Sequence, residues 1–181
     1  MKPRVLVVMA TALLAPTTVM AQGSAAGPQI KRGEYLVNIA ACHDCHTPLT
    51  AGPDGPAPDM KRALSGHPES MTVKAPAALT DPWMGAFSST LTAWSGPWGV
   101  SFSANLTPDP ETGVLRDFSE QQFIQTMRTG RHLGQGRQIL PPMPWQYIGQ
   151  MTDEDLKAVY AYLRQITPIK NKVPDPIPPA K

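Results

Sequence analysis

The chain has 181 residues, among them 21 prolines, 14 glycines and two cysteines, with a formal net charge of +2. That length points to one domain, and 41% hydrophobic residues can bury a core, which excludes wholesale disorder. Lys and Arg are scattered without runs and leave no footprint for nucleic acid, and two cysteines cannot build a multi-disulfide framework.

Lys2 and Arg4 precede the apolar run Val5 to Ala15, and Val19-Met20-Ala21 places small residues where a signal peptidase reads. Residues 1–21 therefore read as a secretory signal peptide cleaved after Ala21, since the run is too short for the roughly 20 apolar residues of a membrane span. Cleavage removes Lys2 and Arg4, so the formal charge falls from +2 to zero. The mature chain, 22–181, is expected to be a single domain in the periplasm without a transmembrane segment.

Ile30 to Ala41 reads as a short helix with Tyr35, Leu36, Ile39 and Ala40 on or near one face, running straight into the cysteines. Residues 48–104 form a proline-rich excursion with no sustained period, expected to hold at most short helical turns and no β-ladder. Trp83, Phe87, Trp94, Trp98 and Phe102 within it imply packing on something apolar.

Ser119-Glu120-Gln121-Gln122 is a capping box that opens a second helix, with Phe123, Ile124 and Met127 inward and Gly130 at its end. Thr152 caps a third, whose first turn is acidic and whose Leu156, Val159, Tyr160 and Leu163 repeat at helical spacing. The Pro-rich tail, 169–181, reads as an extended strap or a frayed end.

Cys42-His43-Asp44-Cys45-His46 is the C-x-x-C-H pattern of c-type haem attachment. Two thiols three residues apart can each form a thioether to a haem vinyl group, and the following imidazole of His46 is presented to the iron. A disulfide or thioredoxin-like dithiol leaves His46 idle and lacks a strand-helix-strand setting, while a zinc site would need two of His43, His46, His67 or His132 at no familiar spacing. His43 reads as a solvated spacer. The iron's other face needs a ligand. Met143, held between Pro142 and Pro144 in a segment that cannot become helical, is the leading choice. Met60, Met71, Met84, Met127 and Met151 compete with it, and His132 or His67 would give bis-histidine ligation.

At these residues the chain resembles the bacterial class I cytochromes c, in particular the cytochrome c domains in cytochrome subunits of membrane-bound alcohol and aldehyde dehydrogenases. The matching pieces are Gly33-Glu34-Tyr35-Leu36, Cys42 to Thr47, Leu64-Ser65-Gly66, Asn105 to Asp109 with Thr112-Gly113, Phe123 with Met127 to Gly130, Leu140 to Trp145, and Asp155-Leu156 with Tyr160 to Leu163. The resemblance implies an all-α cytochrome c fold with crossing N-terminal and C-terminal helices, Gly33 close to Tyr160, and one haem-covering helix beside the long Pro/Gly-rich excursion. It also implies one covalent haem c per chain on Cys42 and Cys45, with His46 and Met143 as axial ligands. Two departures stand out: those subunits carry several haem motifs and this chain one, and the 48–104 excursion is longer than in minimal cytochromes c.

With both axial positions filled by protein, the function expected is one-electron transfer in a respiratory chain rather than catalysis. The expected partners are a dehydrogenase donor and an oxidase or another cytochrome as acceptor. The alternatives are a haem-bearing subunit of a dehydrogenase complex or, less in keeping with a sealed iron, a peroxidase or sulfur-compound oxidase.

Overall fold

The computed structural model describes residues 26–74 and 80–179, so the signal-peptide reading of 1–21 lies outside the described residues. Helices α1 (Ala26–Ile39) and α5 (Asp153–Leu163) pack against each other from opposite ends of the chain. Gly33 permits it: a Cβ there would run into the Ala158 carbonyl and come within 2.8 Å of Tyr162 Cβ. The close approach is thus to Ala158 and Tyr162. Tyr160 lies between them in the chain, its ring tilted against Phe123 at 5.6 Å, and donates its hydroxyl to the Phe118 carbonyl at 2.6 Å. The buried face of α1 is Gly33, Leu36 and Val37, whereas Tyr35 and Ile39 are exposed.

The expectation of an all-α fold is overturned. The described residues hold five helices and two antiparallel sheets, with 33% helix and 14% strand, a mixed α and β protein. All the strands lie in the 48–104 excursion. β1 (Leu49–Gly52) pairs with β2 (Gly55–Pro58) around the turn Pro53-Asp54, and β3 (Ala86–Phe87), β4 (Ala93–Gly96) and β5 (Gly99–Phe102) form a three-stranded sheet. The β4–β5 hairpin turns at Pro97-Trp98, and Gly99 has the positive φ of 91° that ends the turn. Each strand has four residues or fewer, and the turns carry proline. No alternation is long enough to register, which is why the excursion reads as irregular from its residues alone.

Between α1 and the first sheet, Ala41 adopts a left-handed φ of 55° and breaks the chain into the single turn α2 (Cys42–His46). Helix α3 (Glu120–Thr129) has the expected reciprocal cap: Ser119 Oγ accepts from Gln122 N at 3.2 Å and Gln122 Oε1 accepts from Ser119 N at 2.9 Å. Gly130, at φ 66°, ends it and lies against the Trp145 ring that opens the short helix α4 (Trp145–Ile148). Leu36, Val37, Phe123, Ile124, Leu156 and Val159 belong to one core cluster, which also takes in Leu64 and Leu115 from the connecting segments. The tail is a strap. Asn171 Nδ2 donates to the Ser65 and His67 carbonyls at 2.7 and 2.9 Å, and Val100 and Ile177 exchange backbone bonds at 2.8 and 2.9 Å. Among the described residues no helix is long and apolar enough to cross a membrane.

Candidate functional site

His46 is the last residue of α2 and is buried. Its carbonyl accepts from Gly66 N at 2.8 Å, and its ring Nδ1 lies 2.8 Å from the Ala104 carbonyl. These two partners sit side by side: Leu106 N donates to Leu64 O at 2.8 Å and His67 N to Ser103 O at 2.9 Å. Gly66, at φ 78°, allows the approach, because a Cβ there would collide with the Ser103 and Ala104 carbonyls. A carbonyl only accepts, so Nδ1 carries the hydrogen and Nε2 keeps its lone pair. Among the described residues Nε2 has no hydrogen-bond partner, and the ring lines an apolar cavity. Burial lowers the His46 pKa from its ordinary value, against the carbonyl's opposing pull, which keeps the imidazole neutral and able to ligate a metal.

The cavity holds about 920 Å³ of space free of atoms, part of it open to solvent. Cys45 and His46 border it together with Phe123 and Met127 of α3, Trp94 and Phe102 of the β3–β5 sheet, and the segment Ile139–Met143. The structure therefore brings Cys45, His46 and Met143 to one apolar slot. Cys42 lies half-buried one turn away on α2. The two thiols are not joined, and burial pushes the Cys42 thiol up to about 11 and raises that of Cys45. A redox dithiol needs a lowered thiol pKa, so these cysteines are ill suited to that chemistry. Among the described residues no three His, Cys, Asp or Glu side chains converge, so the zinc reading finds no third ligand.

The competing axial candidates separate by position. His67 is fully buried, with Nδ1 2.9 Å from Thr92 Oγ1 and Nε2 3.0 Å from the Met71 carbonyl, so both ring nitrogens are engaged. Met60 and Met84 are exposed, and Met71 and Met151 do not border the cavity. Met127, His132 and Met143 do. Met127 packs on the core cluster from α3, and His132 stands edge-on to Phe118 at 5.0 Å. Met143 is half-buried on irregular backbone, and its carbonyl accepts from Trp145 N at 2.9 Å as α4 begins. Of the aromatic residues expected to pack, Trp94 and Phe102 line the cavity, whereas Trp83 and Phe87 are exposed.

A second, polar cavity adjoins the first and contains Lys170, Lys172, Arg116, Glu69 and Glu111. Arg137 borders both. Arg137, the Ala104 carbonyl and Ser101 do not stand out in the sequence. The only signal for them is the place of Ala104 before the motif Asn105-Leu106-Thr107, because a backbone acceptor has no side-chain signature.

Two thiols and an imidazole on one turn, opening on an apolar slot with a thioether at its rim, are the parts of a c-type cytochrome domain. A haem c would find its anchors, a free imidazole nitrogen and an apolar bed among these residues. No protein-family model matches the chain. It is similar to the fructose dehydrogenase cytochrome subunit of Gluconobacter japonicus, 32% identical over 157 residues, covering 83% of this chain and 25% of that protein. It is also similar to the cytochrome c subunit of the quinone alcohol dehydrogenase of Gluconobacter oxydans, 27% identical over 149 residues, covering 81% of this chain and 24% of that one. A third relative is the gluconate 2-dehydrogenase cytochrome c subunit of Pantoea cypripedii, 29% identical over 133 residues, covering 74% of this chain and 22% of that protein. The resemblance drawn from the residues is thereby borne out. The chain spans a quarter or less of the length of these curated relatives.

Proposed function

We propose that this chain is a c-type cytochrome that passes single electrons between redox partners, with one haem c joined to Cys42 and Cys45. The observation that carries the reading is His46, buried, fixed through Nδ1 by the Ala104 carbonyl, with its free Nε2 on an apolar cavity that Met143 also borders. When bound, the haem supplies a one-electron Fe(III)/Fe(II) couple. In this reading His46 Nε2 and Met143 Sδ would hold the iron, and a histidine and methionine pair would favour a raised potential. Phe123, Phe102 and Leu115 give the slot an apolar lining. Arg137, exposed at the seam of the apolar and polar cavities, offers a cation to the haem's carboxylates.

In the same reading residues 1–21 form a signal peptide and 22–181 a single periplasmic domain, to which a dehydrogenase gives electrons and a cytochrome or oxidase takes them. A second reading is favoured by the relatives' names: the chain works as the haem-bearing subunit of a dehydrogenase complex. Co-purification separates the two, since a stoichiometric dehydrogenase partner supports the subunit and a free haem protein supports the shuttle. The attachment itself is tested by Cys42→Ser and Cys45→Ser. Each is expected to keep denaturation-resistant haem only through its one remaining thioether, and the double variant to lose it; staining at the parent level in the double variant would refute the assignment.

A further inference from the structure

We propose that Ser101, in the 48–104 excursion, is the positioning residue that holds the Met143 segment against the cavity. Ser101 is buried on β5, and its Oγ donates to the Pro141 carbonyl at 2.5 Å. Pro141 lies two residues before Met143. From Leu140 to Pro144 this is the one backbone group that any distant element hydrogen-bonds, among the described residues. Pro141, Pro142 and Pro144 have no N–H to donate, and the other backbone bonds of the segment are local, from Trp145, Tyr147 and Ile148 N of α4 to the Met143 and Pro144 carbonyls.

The donor is itself anchored. Ser101 pairs with Trp94 across the β4–β5 hairpin, and its neighbour Val100 exchanges two backbone bonds with Ile177 of the tail. Gly99 makes that contact possible, since a Cβ there would meet the Ile177 carbonyl. The excursion and the tail therefore form one clamp, closed on the Met143 segment through a single hydroxyl. Without that hydroxyl the Pro141 carbonyl has no partner to hold the segment in place, and the thioether should yield more readily to an external ligand.

This inference rests on Met143 being an axial ligand, and the test keeps the two apart. Ferric holoprotein is titrated with imidazole, which competes with the thioether, and the near-infrared sulfur-to-iron band is followed alongside the far-ultraviolet circular dichroism. Ser101→Ala is expected to keep the parent dichroism, weaken the band, and bind imidazole about fivefold to tenfold more tightly, the size of one hydrogen bond. Ser101→Thr is expected to restore the parent affinity. Parent-like imidazole binding in Ser101→Ala overturns the clamp, while loss of the band in Met143→Ala leaves the ligand assignment standing. A band unchanged in Met143→Ala overturns the ligand assignment instead. If Ser101→Ala does not accumulate, the near-isosteric pair Ser101→Thr and Ser101→Val decides: tighter imidazole binding by the valine variant supports the clamp, and equal binding refutes it.

Discussion

Asn105 joins the fold to the site, and Asn105→Ala should be among the most damaging single substitutions outside Cys42, Cys45 and His46. The side chain is 1% exposed. Its Nδ2 donates to the Ile169 carbonyl at 2.8 Å and to Thr112 Oγ1 at 3.2 Å, while its Oδ1 accepts from Thr107 N at 3.0 Å and Thr107 Oγ1 at 2.7 Å. Truncation frees the Thr107 hydroxyl to turn to the Ile169 carbonyl, already 3.3 Å away. The Thr107 N–H has no such recourse, and a buried orphaned donor costs about 1–3 kcal/mol. The net loss of the two Nδ2 bonds adds about 1 kcal/mol each, so the total is about 3–5 kcal/mol, which lowers the melting temperature of a domain this size by about 6–20 °C. Ala104, the acceptor for His46, is the preceding residue, so haem absorbance should respond with the fold. Guanidinium unfolding of the holoprotein, followed by tryptophan fluorescence and haem absorbance, measures both. A loss under about 1 kcal/mol would show that the network is solvated, and the reasoning would fail.

Three further outcomes are open to direct measurement. Gly33→Ala places a methyl on the Ala158 carbonyl and should cost at least the roughly 1–3 kcal/mol of ordinary overpacking, read from the thermal midpoint. Arg32, paired with Asp155 at 2.8 Å, holds that carboxyl below its ordinary pKa, so the pair stabilises the fold above the unfolded carboxylate value and the benefit fades as pH falls through the lower folded value. The stability gap between parent and Asp155→Asn should accordingly be open at pH about 7, narrow in acid below about pH 3.9, and shrink in high salt. Burial lowers the His67 pKa, so the unfolded chain takes up that proton first as pH drops below about 6.5; the parent should lose stability toward pH about 5.5 more steeply than His67→Gln in melts at both pH values.

How much of the fold is legible in the residues depends on how local each determinant is. The capping box at Ser119 to Gln122, the left-handed Gly130 and the Thr152 cap are legible because each is a contact within one turn of chain. The buried face of α1 differs from its helical pattern by one position: Tyr35 and Ile39 are exposed because the glycine approach to Ala158 rotates Leu36 and Val37 inward. The excursion looks irregular in sequence because two-residue and four-residue strands leave too short a period. Trp94 and Phe102 announce its apolar contact by residue type, whereas the contact of Ser101 with Pro141 has no local signature at all.

The sequence by itself determined the chemistry on offer: two thiols and an imidazole at C-x-x-C-H spacing, a methionine between prolines, and helices with caps strong enough to mark their own ends. Only the tertiary structure decided which donors meet. It freed Nε2 of His46 by engaging Nδ1, removed His67 from contention by engaging both nitrogens, and set Met143 on the same cavity under a serine from about forty residues earlier in the chain. Side-chain type and spacing are fixed along the chain, but an imidazole's free nitrogen depends on which carbonyl the fold places beside the other one.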